Sequence, residues 1–231
     1  MTIARLMQMA AAGGIGGGVS YALSDSLFIA TPTSPYTFSS ANLGTASADR
    51  HIVVGRVSRD SNKDASGITV GGVSASLVVR ATGTDRGRAE IWIAAAPTGA
   101  TGDIVITYSS TPTPNDSVFV YELHGFSATA GYTNTGFITS GVTVSTTVNV
   151  SGADDLIIAI AGGDANSATD SISMSGVTMD AHFNGRVEEG DRGEYCSGAH
   201  LATSSETGRT ISATFDASAK HQIAAAVFTP A

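Results

Sequence analysis

The chain has 231 residues, a formal net charge of −8 and only 14% charged residues. With no cluster of Lys and Arg, that balance excludes the basic stripe that phosphate contacts require, so nucleic acid is not an expected partner. No apolar run reaches the ~18 residues of a membrane span, and the single cysteine, Cys196, excludes an intrachain disulfide or a cysteine-rich metal site.

Residues 1–24 read as an N-terminal arm and hinge. The first twelve residues form a short helix or an extended arm with Ile3, Leu6, Met7 and Met9 as apolar positions and Arg5 between them. Gly13-Gly14-Ile15-Gly16-Gly17-Gly18 cannot hold a helix, because each glycine costs ~1 kcal/mol there; it is a flexible joint. As a signal peptide the segment fits poorly, since Gln8 interrupts the apolar core and no small-x-small site follows. The arm either lies along its own body or docks on a neighbour. Docking is favoured, because so short a segment builds no core alone.

From Ser26 onward the pattern is all β. Short runs rich in Val, Ile and Thr alternate with clusters of Gly, Pro, Asn, Asp and Ser. The first half carries candidate strands at Ser26–Ala30, Tyr36–Ser39, His51–Ser58, Ile68–Val70, Ser76–Arg80, Ala89–Ala95, Asp103–Tyr108 and Val118–Leu123. The second carries Thr135–Thr139, Thr143–Val150, Leu156–Ala161, Ile172–Met174, Glu194–Ala202, Thr210–Phe215 and Gln222–Phe228. Between them, Phe126 to Gly131 reads as a linker. The spacing predicts two tandem antiparallel β-sandwiches, jelly-roll-like, over residues 25–127 and 128–231. They pack side by side or interleave into one larger sandwich.

A repeat supports this division. Ile68-Thr69-Val70-Gly71-Gly72-Val73-Ser74 returns 104 positions later as Ile172-Ser173-Met174-Ser175-Gly176-Val177-Thr178. Thr101-Gly102 is echoed by Thr207-Gly208, and Val118 to Tyr121 by Ala225 to Phe228. An offset that drifts while short motifs persist is what two copies of one β unit leave when loops change length.

Chemistry-bearing patterns are sparse. His51, His124, His182, His200 and His221 are dispersed and lack zinc-site spacing. There is no Gly-x-Ser-x-Gly elbow and no Walker loop. The densest charge runs from Arg186 through Glu188, Glu189, Asp191 and Arg192 to Glu194, with a counterpart at Asp85, Arg86, Arg88 and Glu90. Such carboxylates could bind Ca²⁺ or supply a glycosidase acid/base pair; a solvated hairpin loop holding its own counterions is the favoured reading. Two charged loops at equivalent places predict a shared contact rim of Arg86, Arg88, Arg186, Glu188, Glu189, Asp191 and Arg192. Trp92 faces opposite to Ile91 and Ile93, in the core or as part of an aromatic face with Tyr108 and Tyr121 that a sugar could use. Neither a catalytic residue nor a cofactor or metal site is expected.

Arg50-His51-Ile52-Val53-Val54, Val70-Gly71-Gly72-Val73, Ile91-Trp92-Ile93-Ala94 and Pro97 through Thr107 together resemble small β-rich virion proteins of tailed bacteriophages, as does the opening Met1 to Gln8. The resemblance covers most of the chain and its motifs are structural. It implies a non-enzymatic component on the surface of the phage particle, a head decoration (cement) protein or a spike or accessory protein. The expected partners are the major capsid protein or other virion proteins, and further copies in an oligomer or symmetric lattice. The alternative is a module that binds a host glycan during attachment.

Overall fold

In a computed structural model the structure describes residues 3–5, 13–14, 18–29, 35–58, 64–82, 87–96, 98–108, 116–165, 172–188, 191–216 and 218–231. These residues are strands and connections, with no helix among them. The first half contains β1 (Ile3–Arg5), β2 (Gly13–Gly14), β3 (Ser20–Ile29), β4 (Tyr36–Asn42), β5 (Arg50–Ser58), β6 (Ala65–Val70), β7 (Val73–Ser74), β8 (Ser76–Thr82), β9 (Arg88–Ala95), β10 (Thr101–Tyr108) and β11 (Asp116–His124). The second contains β12 (Phe126–Ile138), β13 (Thr143–Val150), β14 (Leu156–Ala165), β15 (Ser173–Ser175), β16 (Thr178–Glu188), β17 (Asp191–Leu201), β18 (Glu206–Thr214) and β19 (His221–Pro230).

The strands form four antiparallel sheets. In the first half a large sheet runs β1-β3-β11-β5-β9-β8, with β2 also on β3, and a small sheet runs β4-β10-β6-β7. In the second half the large sheet runs β12-β19-β14-β17-β16 and the small one β13-β18-β15. No described strand crosses from one half's sheets to the other's, so the halves are not interleaved. Apart from β1, β2 and β7, which have no counterpart among the described strands, the strand order of the two halves also matches. β3, β11, β5, β9 and β8 correspond to β12, β19, β14, β17 and β16; β4, β10 and β6 correspond to β13, β18 and β15.

Three apolar cores lie between these sheets. Tyr36, Phe38, Ile52, Val54, Trp92 and Ile106 are among those filling the space between the first half's sheets; Val144, Ile157, Ile211 and Val227 belong to the equivalent core of the second. The third core joins the two large sheets face to face, with Val53, Ile91 and Phe119 meeting Ile158, Tyr195 and Phe228. The stack is therefore small sheet, large sheet, large sheet, small sheet. The large sheets face in reversed order: β8 lies against β12, β5 against β14, and β3 against β16.

This layering explains the hydrophobic patterns. A strand covered on both faces reads as an unbroken apolar run, as in Ile52-Val53-Val54, Ile91 to Ala94 and Leu156 to Ala161, all buried. A strand with one face in solvent alternates. β13 does so without a break: Val144, Thr146, Val148 and Val150 are buried and the residues between them exposed.

Several expectations need correction. Phe126 to Gly131 is the beginning of β12 rather than a linker, and Phe126 is buried; the turn between halves is Gly125, at a positive φ of +72°. Thr178–Glu188 is an eleven-residue edge strand that no candidate strand covered. The arm reading is not among these corrections: Ile3–Arg5 is extended and pairs with β3 of the same chain, which is one of the two placements expected for it. Leu6, Met7 and Met9 lie outside the described residues.

Candidate functional site

Two groupings of polar side chains stand out, one buried and one open. The buried one begins with a periodicity. Arg56, Glu90 and Asp116 sit on the faces of β5, β9 and β11 that otherwise present Ile52 and Val54, Trp92, and Val118 and Val120 to the core between the first half's sheets. All three are fully buried, so their charges must be met inside. Arg56 Nε donates to both Asp116 carboxylate oxygens at 3.0 and 3.1 Å, and its Nη1 is 3.2 Å from Glu90 Oε1. Trp92 Nε1 donates to Glu90 Oε2 at 2.9 Å. Tyr108 donates its hydroxyl to Asp116, while its ring lies under the Arg56 guanidinium at 5.0 Å.

From Glu90 the chain of charge runs outward. Arg80 Nε donates to Glu90 Oε1 at 2.7 Å, Arg80 Nη1 is 3.4 Å from Asp64, and Arg88 Nε donates to Asp64 Oδ1 at 2.6 Å. Three arginines and three carboxylates alternate and cancel. Burial pushes the Asp116 carboxyl up to about 6, against Arg56 and Tyr108, which pull it down; the carboxylates around Arg56 hold its guanidinium charged. Each acid is engaged by a neighbour of this chain, so the arrangement locks β5, β9 and β11 to β10 and to the start of β6.

The open grouping sits at the other end of β11. Arg50 is buried and spends its guanidinium on loop carbonyls: Nε to Ala96 O at 2.7 Å, Nη1 to Leu43 O at 3.1 Å, Nη2 to Gly99 O at 2.7 Å. This fixes the segment leading to Thr45, whose N–H donates to Glu122 Oε2 at 2.6 Å. Thr45, Ser47, Asp49, Glu122 and His124, with residues 20–22 of β3, line a cavity of about 430 Å³, within the range of ligand pockets. The contents are those of a hydrolytic triad, but the order is wrong. Ser47 Oγ donates to Asp49 Oδ1 at 2.5 Å, and that hydroxyl is the main reason the Asp49 carboxyl sits below its ordinary range. His124 Nδ1 lies 2.8 Å from Ser47 Oγ, whose hydroxyl is directed at Asp49 rather than at the imidazole. A general base needs that proton. The Thr45 N–H is held by Glu122.

The residues singled out from sequence are placed as follows. Ile3 and Arg5 are in β1, opposite Ile29 and Leu27. Arg186 and Glu188 lie in β16 and Asp191 and Arg192 in β17, where Arg186 pairs with Arg192 and Glu188 with Asp191. Arg86 and Glu189 lie outside the described residues. The β8–β9 and β16–β17 hairpins end on the same side of the stack: Gln222 Nε2 donates to Gly87 O at 2.5 Å, Gln222 pairs with Gly162, and Gly163 pairs with Glu194. Arg88 is not a free rim residue, being held by Asp64. Trp92 and Tyr121 are buried and Tyr108 is packed under Arg56, so these three rings form no exposed face for a sugar. Cys196 is buried. Among the described residues no group of three or more His, Cys, Asp or Glu is placed to hold a metal ion. Both polar groupings escaped sequence reading, because residues that bond one another, such as Ser47 and His124, lie 77 positions apart and no local motif links them. No protein-family model, no curated protein and no solved structure matches the chain.

Proposed function

We propose that the chain is a non-enzymatic structural protein of a bacteriophage particle, a capsid decoration or cement protein built from two tandem jelly-roll-like repeats and docked through its N-terminal arm. The observation that carries this reading is the order shared by five large-sheet and three small-sheet strands of each half, in which the first long strand pairs with the last. The repeated segments begin on corresponding strands of the small sheets, Ile68 to Val70 in β6 and Ser173 to Ser175 in β15, and Gly72 and Gly176 turn after them at the same φ of +82°. The reversed facing of the large sheets adds support, because it relates the halves by an approximate two-fold axis along the strands. A body of this kind has its interior spent on packing, and the buried acids Glu90 and Asp116 are spent on Arg56. What it offers a partner is surface, and repeated weak contacts on a symmetric lattice become strong by avidity.

The test is co-purification. A tagged chain produced during phage growth should sediment with intact particles, and a chain lacking residues 1–18 should fold yet stay behind. Absence of the full chain from particles would remove this reading; normal incorporation of the shortened chain would remove the role of the arm.

A second reading, a glycan-binding module used in host attachment, draws on the groove at Ser47, Asp49 and Glu122, whose carboxylates and hydroxyls suit sugar hydroxyl groups. Binding on a glycan array that is lost in Asp49→Ala would favour it over the first.

A further inference from the structure

We infer that the cavity at Ser47, Asp49, Glu122 and His124 is a subsite for an amino sugar whose amine is free and protonated. This rests on the glycan reading of the groove and names the ligand it selects.

The duplicated fold supplies an internal comparison. The cavity lies between β3, the β4–β5 connection and β11. Between the corresponding β12, β13–β14 connection and β19 lies a smaller cavity of about 150 Å³. One buried charged side chain braces each connection. In the first half Arg50 donates to the carbonyls of Leu43 and Gly99. In the second, Asp155 accepts from the Ser151 N–H at 2.8 Å and the Gly152 N–H at 3.1 Å. The first connection has seven residues, 43–49, and the second five, 151–155. The longer one borders the larger space and lines it with Ser47 and Asp49. Across from it, β11 contributes Glu122 and His124, where β19 contributes Val227 and Thr229. The second half folds with that uncharged pair, so the strand layout does not demand the carboxylate and imidazole of the first.

The charges are set in advance. Glu122 accepts the Thr45 N–H, and its carboxylate fills the space that a side chain at position 44 would take, which Gly44 leaves open. Asp49 accepts from the Ser47 hydroxyl, and this bond keeps it ionised at neutral pH. The donors on these two loop residues are therefore committed, and what the cavity holds out is negative charge and acceptor oxygens. No Lys or Arg is among the residues that line it. His124 alone among them can carry a positive charge, and it stands between the acids, Nε2 3.4 Å from Glu122 and Nδ1 3.9 Å from Asp49. A ligand that meets both acids must span an imidazole, which a lone ammonium ion does not. A hexosamine ring does, with three N–H donors on its amine and hydroxyl donors around the ring. Tyr21 lines the same cavity, and an aromatic ring attracts a cation. Uronic acids and other anionic sugars meet like charge and are rejected.

The experiment titrates the full chain by NMR with methyl glucosaminide and with its N-acetylated counterpart, slightly below neutral pH, where the free amine is protonated. The free amine should bind at least about tenfold more tightly than the acetylated sugar. Asp49→Asn and Glu122→Gln should each lose about that factor, with circular dichroism showing an unchanged fold. The Asp49 side chain is 55% exposed, so its variant reads binding rather than folding. Glu206→Gln removes the same charge from the second half and should bind as the native chain does. If it loses as much as Asp49→Asn, the attraction is that of the net charge of −8 and the site falls. Equal binding of both sugars overturns the amine and leaves the glycan reading standing; binding of neither removes both. Butylamine bound as tightly as methyl glucosaminide would show that the ring hydroxyls are not read, and the sugar falls.

Discussion

Gly55 of β5 lies directly against Ile160 of β14, where the two large sheets cross. A methyl group added at Gly55 would overlap the Ile160 side chain. The glycine is thus a packing requirement set by the other half of the chain, since this interface has interior density with no slack to absorb a methyl. Gly55→Ala should destabilise the protein by about 1–3 kcal/mol, and Ile160→Val introduced with it should recover part of the loss. A double-mutant cycle by urea denaturation checks this. Strictly additive effects would mean that the two residues do not share a contact.

Arg56 balances two carboxylates where all three side chains are buried. Removing it leaves Asp116 and Glu90 buried with less positive charge than they need, and breaking a buried pair from one side is far costlier than never having built it. Arg56→Met should cost about 3–5 kcal/mol. Asp116→Asn, which retains a hydrogen-bonding group of the same shape, should cost less. Denaturant midpoints for the two variants measure the difference, and equal losses would refute the ionic account.

Much of the strand layout was legible because periodicity is local. The alternation of β13 and the unbroken apolar runs of β5, β9 and β14 reported one or two buried faces directly. Thr178–Glu188 was missed because an edge strand needs few apolar residues, and Asp180, Asn184 and Gly185 read as loop. Phe126 to Gly131 was missed for a related reason: it is an edge segment with its side chains largely in solvent after Phe126. What covers the second face of β5 and β14 is a long-range fact, visible only once the halves are stacked. The same holds for the charge chain and for the groove. Arg56 and Asp116 are 60 positions apart, and no spacing rule joins residues that meet across strands.

Thr146 sits among Val144 and Val148 on the buried side of β13, and its hydroxyl has no hydrogen-bond partner among the described residues. An unmet buried hydroxyl is a cost without a return, whereas an apolar group of the same shape is not. Thr146→Val should stabilise the second half by about 1 kcal/mol, read as a raised midpoint in thermal or urea unfolding. A loss of stability would show that the hydroxyl is satisfied in solution.

Asp180 ties the halves together by accepting a hydrogen bond from the Tyr121 hydroxyl at 2.9 Å. Burial pushes its carboxyl up to about 6, with Tyr121 and the Ala199 N–H pulling in the other direction. Its ordinary value is 3.8, so the folded protein holds this proton over a window in which the unfolded chain releases it. The stabilising contribution is complete below pH ~4 and is lost as pH rises through ~6. Asp116 acts in the same sense, while burial lowers His51 and His200, which lose stability as pH falls; the profile of the native protein alone therefore mixes opposing slopes. The difference between native and Asp180→Asn isolates one group. An amide still accepts from Tyr121 but does not titrate, so the variant should gain on the native protein by up to about 2–3 kcal/mol between pH 4 and pH 7. Urea midpoints at a series of pH values measure this, and parallel profiles would show that Asp180 titrates alike in the folded and unfolded chain.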